Sequence, residues 1–325
     1  MQNSHRRSVF IGALIIITIW VLFWGWTPAD FSHPNCKFIQ NAAWVSVDWT
    51  SQPVDGTAVR QLAESAEARN LKYLFPYVSY LKSDGSFSPS YKYANIFVST
   101  FRKFNKNTRM LAWIGLPLAN NRPIGIQGWV DLSNEDTRKQ IVRFIIDLIE
   151  QSDFDGVHLN AETVQNNDPY FLNLLDEVRQ NIGKDKVISI AGSHWYPDYI
   201  SILPVIRDFR WTSSYYQEVG QRVEQIATMT YDSYTFHPAL YRLWMREQVK
   251  GISSSLENSD VELLIGISVS REETRSHQPT VEDLANGLAG VCAELTSQKT
   301  VQGIAIYADW EFSQSDWQVW QTWQR

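Results

Sequence analysis

Three polar side chains occupy alternate positions of one apolar segment, Asp155-Gly-Val-His-Leu-Asn-Ala-Glu162. Because side chains along a β-strand alternate between its two faces, His158, Asn160 and Glu162 share one face and the apolar residues between them share the other. A carboxyl group at the end of such a strand can act as a general acid when a partly dry site raises its pKa toward neutrality. We therefore predict that Glu162 is a catalytic acid. The alternative is a buried hydrogen-bond network that only fixes the strand.

Strand-like and helix-like segments alternate along the chain from residue 43 onward. Eight short runs rich in Val, Ile and aromatic residues predict strands: 44–49, 73–80, 110–116, 156–161, 187–191, 226–231, 263–269 and 303–307. Helix-like segments cover 57–69, 91–104, 135–150, 169–181, a weaker one near 202–209, 238–256, 281–297 and 314–323.

This alternation predicts an α/β fold with a parallel sheet, and eight units predict a single closed (β/α)8 TIM barrel over residues 36–325. An open doubly wound sheet is the alternative fold. However, Trp49-Thr-Ser-Gln-Pro, which follows the first strand, lacks the glycine-rich phosphate loop of that fold. The active site of such a barrel lies at the C-terminal ends of the strands, so Glu162 is expected at the barrel mouth.

Three segments resemble the motifs of a known enzyme family. Residues 155–162 resemble the fourth-strand signature of family 18 glycoside hydrolases, Asp-Gly-x-Asp-x-Asp-x-Glu. Met229-Thr-Tyr-Asp232 ends the sixth strand-like run, as Met-x-Tyr-Asp does in that family. Tyr307 ends the eighth, where the family usually brings a tryptophan to the barrel floor. In strand order the resemblance covers most of the chain.

The resemblance implies substrate-assisted, retaining hydrolysis of glycans that contain N-acetylhexosamine. Glu162 would protonate the leaving glycosidic oxygen, and the 2-acetamido carbonyl of the substrate would attack the anomeric carbon. The same glutamate would then activate water. By position, Asn160 would hold the acetamide N–H, Tyr231 would contact the acetamide, and Asp232 would bind the sugar or its N-acyl group.

Two aspartates of the family 18 signature are replaced here by His158 and Asn160. An asparagine still forms hydrogen bonds through its amide but supplies no negative charge. The Asn-x-Glu pattern is similar to that of the family 85 endo-β-N-acetylglucosaminidases, which use it in active enzymes. Asn160 is therefore compatible with assistance by the substrate.

Two alternatives stay open at this level. Glu162 could act with a second carboxylate instead of the substrate's acyl group. Candidates for that carboxylate are Asp48, Asp232, Asp309 and Glu311. The chain could also be a catalytically inactive barrel that binds glycans as a lectin or scaffold, although the presence of Glu162 with Tyr231 and Asp232 favours an enzyme. No His-x-His pair or zinc-ligand spacing occurs, so neither a metal ion nor another cofactor is predicted.

Aromatic residues gather near the predicted strand ends, where flat rings could stack on sugars. Each ring alone is explained more readily by packing, but their number at one end of a barrel favours a sugar-binding groove. Ser193-His-Trp195 after the fifth strand is the best candidate for a subsite. The predicted substrate-binding residues are Trp49, Tyr77, Trp113, His158, Trp195, Tyr307 and Trp310.

The first 35 residues have the pattern of a targeting segment. Arg6 and Arg7 precede an apolar run over 9–26, which is near the length that spans a bilayer and ends in three tryptophans. We predict a transmembrane signal anchor with a short linker over 1–35, which would hold the barrel to the membrane on its extracytoplasmic side. The alternative is a cleaved signal peptide and a secreted barrel.

Net charge and cysteine content bear on the possible partners of the protein and on a possible disulfide. The net charge is −6 and no basic cluster lies outside the N-terminus, so nucleic acid is not an expected partner. Cys36 and Cys292 are the only cysteines. They could form a disulfide in an oxidising compartment, but two distant cysteines do not establish one.

Overall fold

Eight parallel strands form a closed barrel in a computed structural model that describes residues 36, 38–119, 128–198, 210–295 and 301–323. The strands pair in sequential order, and the last pairs with the first. They are β1 (Asn41–Val45), β2 (Leu71–Tyr80), β3 (Arg109–Pro117), β4 (Gly156–Glu162), β5 (Val187–Gly192), β6 (Gln225–Thr228), β7 (Glu262–Ser268) and β8 (Val301–Tyr307). The predicted (β/α)8 barrel is confirmed.

Helices cover the outside of this barrel. They are α1 (Asp48–Ser51), α2 (Gly56–Ala68), α3 (Ala94–Phe101), α4 (Glu135–Ser152), α5 (Pro169–Asn181), α6 (Ser213–Gly220), α7 (Pro238–Ser255), α8 (Leu284–Leu295) and α9 (Gln314–Trp323), with a 3₁₀ turn at Asp309–Glu311. Asn134 caps α4 and Asp168 caps α5, because each side chain accepts hydrogen bonds from backbone N–H groups of the first turn.

The core consists of two apolar layers. The larger layer lies between the sheet and the helices and joins side chains from almost every element. The smaller layer fills the inside of the barrel and includes Trp44, Phe75, Leu111 and Trp113. Because these inward-facing side chains fill the barrel, its interior is closed to a sugar, and the active site is expected above them, at the C-terminal mouth.

Two strands end earlier than the sequence predicts. β1 ends at Val45 because the chain turns into α1, where the hydroxyl of Thr50 donates to the carbonyl of Tyr77 at 2.6 Å. β6 ends at Thr228, and Asp232 beyond it has φ +59°, which carries the chain out of the sheet. The weak helix predicted near 202–209 lies outside the described residues, and α6 is the helix that precedes β6.

A disulfide joins Cys36, before β1, to Cys292 on α8, with 5.6 Å between the two Cα atoms. This separation is normal for a disulfide. The bond closes a loop of 256 residues. It therefore restricts the unfolded chain strongly and contributes about 2–4 kcal/mol to stability.

The described part of the chain contains no helix long and apolar enough to span a bilayer. The predicted anchor over 9–26, with the rest of the segment 1–35, lies outside that part.

Candidate active site

A cavity of about 300 Å³ opens at the C-terminal ends of the strands. It is lined by residues of β1, β3, β4, β5 and β8, by the segments after β4, β5 and β6, and by Trp211 before α6. The lining residues are Trp44, Trp113, Asn160, Ala161, Glu162, Thr163, Val164, Ala191, Ser193, His194, Trp211, Met229, Tyr231, Asp232 and Tyr307. All four residues predicted to be catalytic are therefore brought to one concavity, although β4 and β6 are separated along the chain.

Glu162 is the last residue of β4 and points into this cavity. Its Oε1 accepts a hydrogen bond from Nδ2 of Asn160 at 2.7 Å. Among the described residues, no lysine or arginine lies within salt-bridge distance of it. Burial raises the pKa of Glu162, and the charge of Asp232 adds to this rise against the opposing bond from Asn160. A carboxyl group in this setting retains its proton at a higher pH than an exposed glutamate does.

The side-chain oxygen of Asn160, beside that carboxyl group, accepts no hydrogen bond from the described residues. The amide nitrogen of Asn160 donates to Glu162, so the amide oxygen faces away from that carboxyl group. This Oδ1 is buried and has no hydrogen-bond partner among the described residues. Leaving a buried acceptor unpaired costs about 1–3 kcal/mol, which a ligand N–H would recover.

Two tyrosines form one wall of the cavity. The rings of Tyr231 and Tyr307 stack with centroids 5.2 Å apart. Trp310, which is 47% exposed, meets the edge of Tyr307 at 5.8 Å and extends the aromatic surface outward. Burial raises the pKa of Tyr231 well above its ordinary value, with smaller contributions from Tyr307 and Asp232. Its phenol therefore stays protonated and can donate a hydrogen bond at any physiological pH.

Asp232 is the second carboxylate on the cavity wall, and its side chain is half exposed. Its Oδ1 lies 3.4 Å from Nδ1 of His277, and that nitrogen lies 3.3 Å from Oε2 of Glu282. Three potential metal-ligand atoms thus fall within 4.8 Å of one another. The oxygens of Glu282 already accept hydrogen bonds from the backbone N–H groups of Asp232 and Ser233, so the arrangement is explained as a hydrogen-bonded ion cluster.

The other candidate carboxylates do not line the cavity. Asp48 accepts a bond from the hydroxyl of Ser46, and Asp309 pairs with Arg69. Glu311 accepts the backbone N–H of Arg271 at 2.6 Å. Among the described candidates, only Asp232 could therefore act as a second carboxylate beside Glu162.

His158 lies inside the barrel rather than on the cavity wall. Its ring stacks on Phe75 with centroids 4.1 Å apart, and its Nε2 accepts the indole N–H of Trp44 at 3.0 Å. Its Nδ1 lies 2.8 Å from the hydroxyl of Ser189. Burial lowers the pKa of His158 to about 3, so the ring is neutral. The structure therefore gives His158 a packing role below the site and no exposed surface for a sugar.

Two of the predicted sugar-binding tryptophans are used in packing. Trp49 lies on α1 and stacks on Phe97 at 5.5 Å. Trp195 packs against Gly251 of α7, where any larger residue would overlap the indole, and its N–H donates to Ser213 at 3.0 Å. Neither ring lines the cavity.

Trp113 and Tyr77 lie at the site. Trp113 lines the cavity, and its buried indole N–H has no partner among the described residues. Tyr77 meets Trp113 edge-on at 4.7 Å. Burial raises the pKa of Tyr77 to about 12, with additions from Tyr80 and Glu162, so this phenol lies near the predicted acid.

The predicted subsite Ser193-His-Trp195 is divided, because Ser193 and His194 line the cavity and Trp195 does not. His194 lines the cavity, and its ring binds the carbonyl oxygen of Tyr231 at 2.8 Å. Burial, with the nearby charge of Arg210, lowers the pKa of His194 to about 3, so it acts as a neutral donor. Trp44 and Trp211 also line the cavity; the inward alternation of β1 could have indicated the first of them.

Comparison with known families agrees with this geometry. Residues 48–322 match the family model described as "Glycosyl hydrolases family 18". The match spans most of the chain, and the protein therefore belongs to glycosyl hydrolase family 18 and is a glycosidase by class. A search of curated protein sequences finds no match.

Solved structures share the fold at low sequence identity. The spore cortex-lytic enzyme SleL of Bacillus cereus superposes with a TM-score of 0.61 at 13% identity, over 88% of this chain and 74% of that one. A class V chitinase of Pseudomonas fluorescens gives 0.57 at 13% identity, over 88% and 99%. A class V chitinase of Nicotiana tobaccum, solved with NAG4, gives 0.58 at 12% identity, over 89% and 99%.

Proposed function

We propose that the protein cleaves glycosidic bonds next to an N-acetylhexosamine by a substrate-assisted, retaining mechanism, with Glu162 as acid and base. One observation carries the proposal: a buried glutamic acid shares a cavity with a buried acceptor of Asn160, and within the described part of the chain neither the acid has a basic partner nor the acceptor a donor. The carboxyl group supplies a proton, and the amide oxygen fits the N–H of an acylamino group.

In the first step, Glu162 donates its proton to the glycosidic oxygen as the bond to the anomeric carbon breaks. The carbonyl oxygen of the sugar's 2-acetamido group forms a new bond to that carbon and gives an oxazolinium-like intermediate. Asn160 Oδ1 accepts the acetamide N–H, and the phenol of Tyr231 donates to the acyl group. Asp232 stabilises the positive charge that develops on the amide nitrogen.

In the second step, the carboxylate of Glu162 takes a proton from water while the water oxygen bonds to the anomeric carbon. The acetamide is released, and Glu162 is again protonated. Two displacements at one carbon retain its configuration. The rings of Trp44, Trp113 and Tyr307 line the cavity, so a sugar bound against them would displace water from the reacting carbon.

The similar structures support a substrate with N-acetylglucosamine. Two of them are named chitinases, one of these was solved with NAG4, and another is named a spore cortex-lytic enzyme. The exposed ring of Trp310 beside Tyr307 offers a further sugar-stacking surface. We therefore place chitin-type oligosaccharides and peptidoglycan first among candidate substrates.

The proposal is tested by release of reducing ends from chitin oligosaccharides, peptidoglycan and N-glycans, beside cello-oligosaccharides as a control without the acetamido group. We expect cleavage of at least one GlcNAc-containing glycan, a product that first appears with retained configuration, and inhibition by GlcNAc-thiazoline, a stable analogue of the intermediate. Binding of these glycans without cleavage would instead indicate a lectin or scaffold, and cleavage of cello-oligosaccharides would contradict the role of the acyl group.

We also propose that the barrel is exported and held at the outer side of the membrane by the segment 1–35. The charged start and the apolar run over 9–26 support this, as does the Cys36–Cys292 disulfide, because such bonds persist in oxidising compartments. Protein trapped with a thiol reagent during cell lysis should carry no free cysteine, and most of it should sediment with membranes. Free thiols in the trapped protein would contradict export.

A further inference from the structure

Two loop residues outside the cavity, His277 and Glu282, bind Asp232. His277 lies in the loop after β7, and Glu282 lies just before α8. The Nδ1 atom of His277 lies 3.4 Å from Asp232 Oδ1 and 3.3 Å from Glu282 Oε2. Neither residue lines the cavity, and neither takes part in the proposed reaction. The role of this buried pair beside Asp232 is therefore a separate question from the reaction itself.

Glu282 fixes the backbone on which Asp232 is carried. It is fully buried, and its Oε2 accepts the backbone N–H of Asp232 at 2.7 Å. Its Oε1 accepts the N–H of Ser233 at 3.1 Å and the Ser233 hydroxyl at 2.8 Å. Asp232 has φ +59°, a left-handed conformation that costs a non-glycine residue about 1 kcal/mol or more. The three hydrogen bonds that Glu282 accepts offset this cost.

His277 supplies the cation of the cluster. Its Nε2 lies 3.2 Å from the carbonyl oxygen of Ser270, which can only accept, so this nitrogen carries a proton. Its Nδ1 faces two carboxylates and therefore also carries a proton. Burial alone would lower the pKa of the ring, but the bonds to Asp232, Glu282 and Ser270 together raise it to about 10. His277 is thus an imidazolium ion at neutral pH.

Two further titratable groups beside the cluster, Tyr241 and Asp283, do not supply this cation. Tyr241 of α7 interacts with the same carboxylates. Its pKa is raised well above its ordinary value by burial, then by the charges of Glu282, Asp283 and Asp232, so it is neutral. Burial also raises the pKa of Asp283, which accepts the backbone N–H of Asn286 at 2.7 Å.

We propose that His277 is a positioning residue for Asp232, and that its imidazolium and the Glu282 carboxylate form a buried clamp that fixes Asp232 on the cavity wall beside Glu162. The charge of Asp232 is one cause of the raised pKa of Glu162, so the clamp acts on the acid through Asp232. A displacement of about 1 Å at a reacting centre can cost about 10²-fold in rate. The inference deepens the proposed function, and the kinetic part of its test rests on that function.

Two substitutions at position 277 separate the contacts of the ring. In His277→Asn, the amide nitrogen can reach the place of Nδ1 and still donate to Asp232 and Glu282. In His277→Gln, the amide nitrogen reaches the place of Nε2 and keeps only the bond to Ser270. We expect His277→Gln to lower kcat about 10- to 100-fold on a chitin oligosaccharide, and His277→Asn to recover most of this loss.

Glu294→Gln is the matched control. Glu294 Oε2 pairs with Arg246 at 3.2 Å in another buried ion pair, between α7 and α8 and away from the cavity. We expect it to lower the midpoint of thermal unfolding about as much as His277→Gln does and to leave kcat within about twofold of the wild type. Equal losses of kcat in Asn and Gln variants, unchanged kcat in both, or an equal loss in the control would each overturn the proposal.

A spectroscopic measurement tests the clamp independently of any substrate. In nitrogen-15 NMR of the whole protein labelled at histidine, the His277 ring should be doubly protonated at pH 8, and Asp232→Asn should lower its pKa. A neutral ring at pH 8, or a pKa that does not respond to Asp232→Asn, would overturn the proposal even if His277→Gln does not fold. If the NMR result holds but no glycan is cleaved, the proposed function fails and the clamp does not.

Discussion

Glu162→Gln is expected to lower kcat on GlcNAc-containing glycans by about 10²- to 10⁴-fold, the usual contribution of a positioned general acid. Glutamine has nearly the same shape and can still meet Asn160, but it has no proton to give to the leaving oxygen. Because burial raises the pKa of Glu162, wild-type activity should persist above the ordinary titration range of a glutamate. It should fall as the pH rises through that raised pKa, since only the protonated form is the acid. Initial rates across pH 4–9 measure both effects.

Glu311→Gln is the control for this substitution. Glu311 also follows a strand at the barrel mouth, but its carboxylate accepts the N–H of Arg271 and does not line the cavity. We expect Glu311→Gln to keep kcat near the wild-type value. If Glu162→Gln retained more than about a tenth of kcat, or if both variants lost activity equally, Glu162 would not be the acid and the assignment would have to be abandoned.

Asn160→Ala is expected to lower kcat/KM by about 10- to 100-fold. The substitution removes the acceptor for the acyl N–H and the donor that orients Glu162, and a hydrogen bond to a charged group is worth about 1.5–3 kcal/mol. The bond from Asn160 opposes the rise in the pKa of Glu162, so its loss should raise that pKa further. The basic limb of the kcat/KM profile should therefore move to higher pH while the maximum falls.

Asn160→Asp is the matched comparison, because it keeps an acceptor at the same place and adds a charge. We expect it to retain more activity than Asn160→Ala and to move the basic limb at least as far, since a second carboxyl group beside Glu162 opposes ionisation of the pair. A limb that stays in place or moves to lower pH in either variant would show that Asn160 does not govern the protonation of Glu162.

The barrel could be predicted because its signals are local and repeated. Each strand and helix has its own periodicity, and eight alternating units leave few other ways to bury the apolar faces. The ends of β1 and β6 were predicted too late for a related reason. Tyr231 continues the apolar pattern of β6 beyond the end of the strand, because its ring lines the cavity. The periodicity of the sequence does not distinguish an apolar residue of the cavity wall from an apolar residue of the sheet.

The sequence by itself determined which face of β4 carries polar groups and that Glu162 ends it, because alternation is a property of any strand. It did not determine how deep inside the barrel each of these polar side chains lies. His158 and Asn160 share that face, yet His158 lies among Trp44, Phe75 and Ser189 inside the barrel while Asn160 reaches the cavity.

Only the tertiary structure decided which distant residues complete the site. Trp49 and Trp195 follow strands, as a sugar-binding residue would, but the turns beyond the strands direct them into packing. His277 and Glu282 lie between β7 and α8 in a segment that matches no motif. They contact Asp232 because that segment folds against the loop after β6. Those paths follow from packing and hydrogen bonding among segments far apart in the chain, and a periodic pattern in one segment contains no information about them.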